Sequence, residues 1–93
     1  MSIEKICEKY GIENYTINSD RSIDVNGNVN LNSLVITKLP LKFGSVSGNF
    51  DCANNKLTTL EGGPESVGGH FDCTNNKLTT LEGGPESVDG DFD

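Results

Sequence analysis

The side chains able to do chemistry in this 93-residue chain are few and regularly placed. His70 is the single histidine, and histidine is the side chain whose charge changes near neutrality, so it is the first candidate for a general base. Asp51 and Asp72 stand two residues after Asn49 and His70 at corresponding positions. Acid–base catalysis would require such groups to converge in a pocket that excludes water, whereas their alternation with Phe and Cys places them on an open strand face. Cys7, Cys52 and Cys73 offer thiols, yet a zinc site needs three or four ligands close together, and His70 falls on the opposite side of a strand from Cys73. The cysteines therefore read as small buried apolar residues. The segment Asp89-Gly90-Asp91-Phe92-Asp93 spaces carboxylates as a calcium loop does, but it lacks the twelve-residue frame and closing Glu of an EF-hand. The expectation is a chain with no enzymatic activity, no cofactor and no metal.

What positions these residues is a repeat. Val46–Ser66, VSGNFDCANNKLTTLEGGPES, returns as Val67–Ser87, VGGHFDCTNNKLTTLEGGPES, with three differences: Ser47/Gly68, Asn49/His70 and Ala53/Thr74. A further copy opens at Val88 as VDGDFD. An internal period of this length predicts a solenoid, in which each turn buries its apolar side against its neighbours. Within a unit, Phe71 and Cys73 point inward from a short strand while His70 and Asp72 point outward. Successive strands are expected to stack in parallel about 4.8 Å apart in one continuous sheet. Asn55 and Asn76 then form a structural ladder, bonding backbone groups that the turn after the strand leaves unpaired. Gly62-Gly63-Pro64 and Gly83-Gly84-Pro85 cannot continue a helix, so the return crossing is expected to be irregular or 3₁₀.

Two ends flank the repeats. Ser2 is a good N-cap, and Ile3, Ile6, Cys7 and Tyr10 make one apolar helical face ended by Gly11. This helix, residues 2–10, with strands at Tyr15/Ile17 and Ile23/Val25, forms an N-terminal cap over residues 1–28. The solenoid proper spans 29–93. It contains a degenerate repeat 25–45, the full repeats 46–66 and 67–87, and the partial repeat 88–93. Shifting by 21 residues aligns Val25 with Val46, Val29 with Phe50 and Leu31 with Cys52. Leu34 precedes the ladder position Asn55 by the same shift and is expected to exchange polar bonding for apolar contact. At the far end Phe92 opens a layer without the core residues that complete the others, so the sequence is expected either to be part of a longer repeat protein, the preferred reading, or to pair or stack with a second copy through this end.

The spacing x-F-x-C-x-x-N-x-L-x-x-L of residues 49–60 and 70–81 resembles the leucine-rich-repeat consensus, with Phe and Cys at two Leu positions. The whole chain, from Tyr10-Gly11-Ile12-Glu13-Asn14-Tyr15 through the F-x-C-x-N-N-x-L-T-x-L-E-G-x-P units, looks like small leucine-rich-repeat proteins of bacteriophage and bacterial genomes. Asn54-Asn55-Lys56-Leu57-Thr58-Thr59-Leu60 also looks like repeats of secreted bacterial effectors, without their secretion segments or ligase domain. The resemblance implies a leucine-rich-repeat solenoid, protein recognition rather than catalysis, and an accessory phage protein acting on a host component. The candidate protein-binding face is the set of outward strand positions Asn49, Asp51, His70, Asp72, Asp91 and Asp93. The other reading is a structural protein that assembles through its open end.

Composition narrows the partners. A formal net charge of −7 argues against nucleic acid, which rewards a basic surface. No stretch approaches the run of about 20 apolar residues that spans a membrane, and MSIEKICEKY lacks a signal-peptide core. The expected location is the cytoplasm, that of the bacterial host if the chain is phage-encoded, where thiols stay reduced.

Overall fold

The computed structural model describes residues 2–93. The chain opens with one helix, α1 (Ile3–Lys9), followed by eight short strands: β1 (Tyr15–Ile17), β2 (Ile23–Val25), β3 (Val29–Asn30), β4 (Phe43–Val46), β5 (Phe50–Asp51), β6 (Ser66–Val67), β7 (Phe71–Asp72) and β8 (Ser87–Val88). Ser2 caps α1 by accepting from the Lys5 backbone N–H at 3.2 Å, and Gly11 leaves it at φ +68°. A helix this short has no stability of its own. Cys7 is fully buried, and Ile3, Ile6 and Tyr10 pack against the same core, so tertiary contact holds it.

The strands form two sheets rather than the single one expected. One is five-stranded, in the order β1-β2-β4-β6-β8; the other is three-stranded, β3-β5-β7. Apart from the antiparallel β1–β2 hairpin, every pairing is parallel. The 21-residue alignment appears directly as register: Val25 opposes Val46, Val46 opposes Val67, Val67 opposes Val88, Val29 opposes Phe50 and Phe50 opposes Phe71. Each turn thus contributes Ser-Val to one sheet and Phe-Asp to the other. Val46 and Val67 have strand neighbours of their own, and the preceding Ser45 and Ser66 pair as well.

A corner joins the two sheets, and glycine makes it possible. The N–H of Gly48 donates to the Gly27 carbonyl at 2.9 Å, Gly69 to Gly48 at 2.8 Å and Gly90 to Gly69 at 2.8 Å. A Cβ on Gly48 or Gly90 would lie 2.7 or 2.8 Å from the carbonyl oxygen beneath it, closer than backbone permits. On the opposite side, Leu60-Glu61-Gly62-Gly63 closes a type II turn. Gly62 sits at φ +87°, and the Gly63 N–H reaches the Leu60 carbonyl at 2.9 Å. Leu81–Gly84 repeats that turn. The return crossing contains no helix, and Pro64 is fully buried within it.

Inside lies a column of aromatic and aliphatic side chains. Phe50 stacks on Phe71 with ring centroids 5.5 Å apart, Phe43 meets Phe50 edge-on at 5.0 Å, and Phe71 meets Phe92 at 4.9 Å. Phe50, Phe71, Leu31, Leu57 and Leu60 are fully buried, each worth about 1.5–3 kcal/mol of apolar transfer. Beside this column runs the Asn ladder. Asn55 donates to the carbonyls of Leu31 (2.7 Å), Cys52 (3.1 Å) and Ala53 (3.2 Å), and accepts from the N–H groups of Leu34 (2.8 Å) and Ile36 (3.3 Å). Asn76 does the same one turn on, bonding the carbonyls of Cys52, Cys73 and Thr74 and the N–H of Leu57. Each Asn therefore serves its own turn and the one before it.

Two expectations need correction. Leu34 adds no apolar contact in place of the ladder: it is 41% exposed, because Asn55 of the next turn already occupies the inside position next to its backbone. Ile17 does not share the buried side with Tyr15; it lies at the outer edge of the hairpin, 40% exposed. That hairpin is held at its turn by Asp20, whose carboxylate accepts from the N–H (3.0 Å) and hydroxyl (2.6 Å) of Ser22 and pairs with Lys42 at 3.2 Å. These bonds to Ser22 lower its pKa to about 2.

Replacing Asn55 by Leu should cost about 3 kcal/mol of unfolding free energy, near the upper end of the penalty for orphaned buried groups. Asn76→Leu should cost less, because Asn76 lies nearer the solvent. Urea denaturation of the two variants beside the parent tests both the cost and its order.

Candidate protein-recognition face

The candidate residues stand where alternation places them, on the outer side of the three-stranded sheet and its margins. Asn49 and His70 are exposed, Asp51 and Asp72 half-buried, and Asp91 and Asp93 exposed in the last layer. They form two columns, Asn28–Asn49–His70–Asp91 and Asn30–Asp51–Asp72–Asp93, and the structure gives each column a backbone task that spacing did not reveal.

In the first column the side chains of Asn28, Asn49 and His70 each accept a hydrogen bond from the backbone of the next turn. Asn28 Oδ1 accepts from the Asn49 N–H, Asn49 Oδ1 from the His70 N–H and His70 Nδ1 from the Asp91 N–H, all at 2.8 Å. The corner leaves these N–H groups without a carbonyl partner, and the side chain below supplies one. Because Nδ1 of His70 accepts, its ring proton resides on Nε2. The Asp91 carboxylate lies 3.8 Å from the same Nδ1. His70 is thus a rung of a ladder, with its Nε2 edge left for other contacts.

In the second column the side chains of Asn30, Asp51 and Asp72 each fold the chain locally. Asn30 Oδ1 accepts from the Asn32 N–H (3.0 Å), Asp51 Oδ1 from the Ala53 N–H (2.9 Å) and Asp72 Oδ1 from the Thr74 N–H (3.0 Å). This is the Asx turn, a short polar side chain bonding the backbone two residues on. Asp51 also receives the Asn32 amide at 3.1 Å, and Asp72 the Thr74 hydroxyl at 2.7 Å. Both carboxylates are therefore fixed in orientation while they remain partly open to solvent.

The thiols face away from these columns. Burial pushes Cys52 up to about 12, with Cys73 and the neighbouring aspartates adding to the shift. Burial also raises Cys73, whose Sγ donates to the Asp93 carbonyl at 3.0 Å, and Cys7. Held as neutral thiols in the core, they are poor nucleophiles. Among the described residues no three His, Cys, Asp or Glu side chains converge on a metal-sized space, and no helix is long and apolar enough to cross a membrane.

One surface escaped sequence reasoning. Thr16, Asp24, Ser45, Ser66 and Ser87 line an open trough on the outer side of the five-stranded sheet. The signal is present as Ser before each Val at the repeat period, but a two-residue Ser-Val segment is too short to show an alternating pattern. Asp24 accepts from the Ser45 N–H at 2.9 Å, and this bond is the main reason its pKa is lowered.

If His70 is a rung, an acceptor of similar reach should replace it. His70→Asn should retain the parent stability, as Asn49 performs the same task one turn earlier, whereas His70→Ala should lose about 1 kcal/mol. Thermal unfolding of both variants decides; equal loss in both would remove His70 from the ladder.

No protein-family model, no curated protein and no solved structure matches the chain.

Proposed function

We propose that the chain is a leucine-rich-repeat solenoid that acts as a non-enzymatic protein-recognition module, using the outward columns of its three-stranded sheet. The observation that carries this reading is the fixed orientation of Asp51 and Asp72. Each commits Oδ1 to the backbone two residues on, so a carboxylate column is held in place before any partner arrives. Pre-ordered groups lose little side-chain entropy on binding. Like charges stacked about 5 Å apart repel by about 1 kcal/mol even in water, and a Lys- or Arg-bearing segment of a partner protein relieves that repulsion. In the phage setting suggested by the sequence resemblance, the partner is a host protein with such a segment.

The test exploits the fact that Asn makes the same Asx turn, as Asn30 does with Asn32. The double variant Asp51→Asn, Asp72→Asn should keep the parent melting temperature. It should also lose at least tenfold in affinity for Lys/Arg-rich peptides selected from a random display library on the parent. A library that yields no basic preference, or peptides that bind the double variant equally well, would contradict the reading.

A further inference from the structure

Corner glycines repeat down one side of the stack, and the first of them is bonded differently. The N–H groups of Gly48, Gly69 and Gly90 each reach the carbonyl of the glycine one turn before. Gly27, at the start of that column, donates instead to the Ser47 hydroxyl at 2.8 Å. The same hydroxyl donates to Oδ1 of Asn26 at 3.1 Å. One side chain thus holds both the backbone nitrogen of Gly27 and the side-chain carbonyl of Asn26. Asn26 is the single asparagine followed by glycine, the pair in which no side chain shields the following nitrogen. Gly27 holds φ +144°, and a Cβ there would meet nothing within 4 Å. The fold therefore demands glycine at this position and leaves open space around it. Asn26 itself is exposed to water.

That pair has a reaction open to it. Once hydroxide removes its proton, the Gly27 nitrogen can attack Cγ of Asn26. The new N–C bond closes a five-membered succinimide, and the side-chain amide leaves as ammonia after taking a proton from water. Water then adds to one of the two imide carbonyls and gives either aspartate or isoaspartate, the latter with an extra methylene in the backbone. We propose that Asn26-Gly27 is a site of this self-modification and that Ser47 holds it in check. Closure has to free the Gly27 N–H from Ser47 and to turn Cγ toward the nitrogen against the bond to Oδ1. The corner resists the same movement, because the Asn26 N–H is held by the Asn14 carbonyl at 2.8 Å and the Gly27 carbonyl by the Gly48 N–H at 2.9 Å. The assignment accounts for the Ser47/Gly68 difference between the two full repeats. Beneath Gly68 lie Ser47 and Gly48, which lack the reactive amide, and the Gly48 N–H already has a carbonyl partner. Isoaspartate would lengthen the corner and draw Asn28 away from the Asn49 N–H that it serves. Either product sets a new carboxylate in the trough that Asp24 and Ser45 line. This inference is separate from recognition by the Asp51–Asp72 face and stands or falls without it.

The experiment incubates the full chain at mildly alkaline pH and follows the mass of its tryptic fragment 22–38. Fragment sequencing separates conversion at Asn26 from conversion at Asn28, Asn30 or Asn32. The same fragment, incubated free, sets the unrestrained rate. Asn26 should convert more slowly in the parent than in the free fragment by a factor of about ten or more, and Ser47→Gly should raise the parental rate about tenfold, the factor carried by hydrogen bonds that closure must break. Ser47→Thr keeps the hydroxyl and should stay at the parental rate. Glycine occupies this position one turn on, at Gly68, so Ser47→Gly should fold, as urea denaturation would verify. Asn76→Leu, which weakens the fold away from the corner, should leave the rate at Asn26 unchanged. Equal rates in the parent and Ser47→Gly, a parent as fast as the free fragment, Ser47→Thr as fast as Ser47→Gly, or an equal rise in Asn76→Leu would each overturn the proposal.

Discussion

The constraint on which the rest depends is the repeated hydrogen bond between one turn and the next at an offset of about 21 residues. Short strands of two to four residues cannot satisfy their own backbone, and a chain with 33% hydrophobic residues has little core to spare. Every irregular segment must therefore find its partner in the neighbouring turn. The glycine corner brings backbones close enough to bond directly, and where they cannot meet, a side chain intervenes. Asn55 and Asn76 do so inside, and Asn28, Asn49 and His70 outside. Among the described residues no buried side-chain polar atom is left without a partner.

This accounting changes how the outer face is understood. The sequence differences at Asn49/His70 and the further change to Asp91 suggest free variation on a binding surface. Asn28, Asn49 and His70 each supply an acceptor to the turn above, so variation at these rungs runs within a chemical class. The same holds for Asn30, Asp51 and Asp72, all able to close an Asx turn. Within each class, charge is free to change, and it changes toward acid along the stack. On the proposed reading, recognition by such a surface rests on electrostatics more than on shape.

The strand register was legible because the paired residues recur at one period. Phe50 and Phe71, Cys52 and Cys73, and Val46 and Val67 recur at one offset, and that offset is the strand register. The ladder role of Asn55 and Asn76 was legible for the same reason. The second sheet was not, since a Ser-Val pair is too short to carry an alternating pattern. Nor were the backbone tasks of His70 and the aspartates: spacing says which way a side chain points, not which backbone N–H lacks a partner. The exposure of Leu34 escaped because Asn55, a turn away in sequence, had taken the inside position. Val35 beside it holds φ +59° while 67% exposed, an unusual place for a β-branched residue, and nothing in its sequence signals it.

The central claim, that each turn is completed by the turn after it, is tested most directly by amide hydrogen exchange read residue by residue. Ile36 and Leu57 occupy the same position in successive turns. Their N–H groups are held by the side chains of Asn55 and Asn76 at 3.3 and 2.9 Å. The account predicts protection at both, with Asn76→Leu releasing Leu57 while Ile36 stays protected. No change at Leu57 in that variant, or equal release of Ile36, would contradict it.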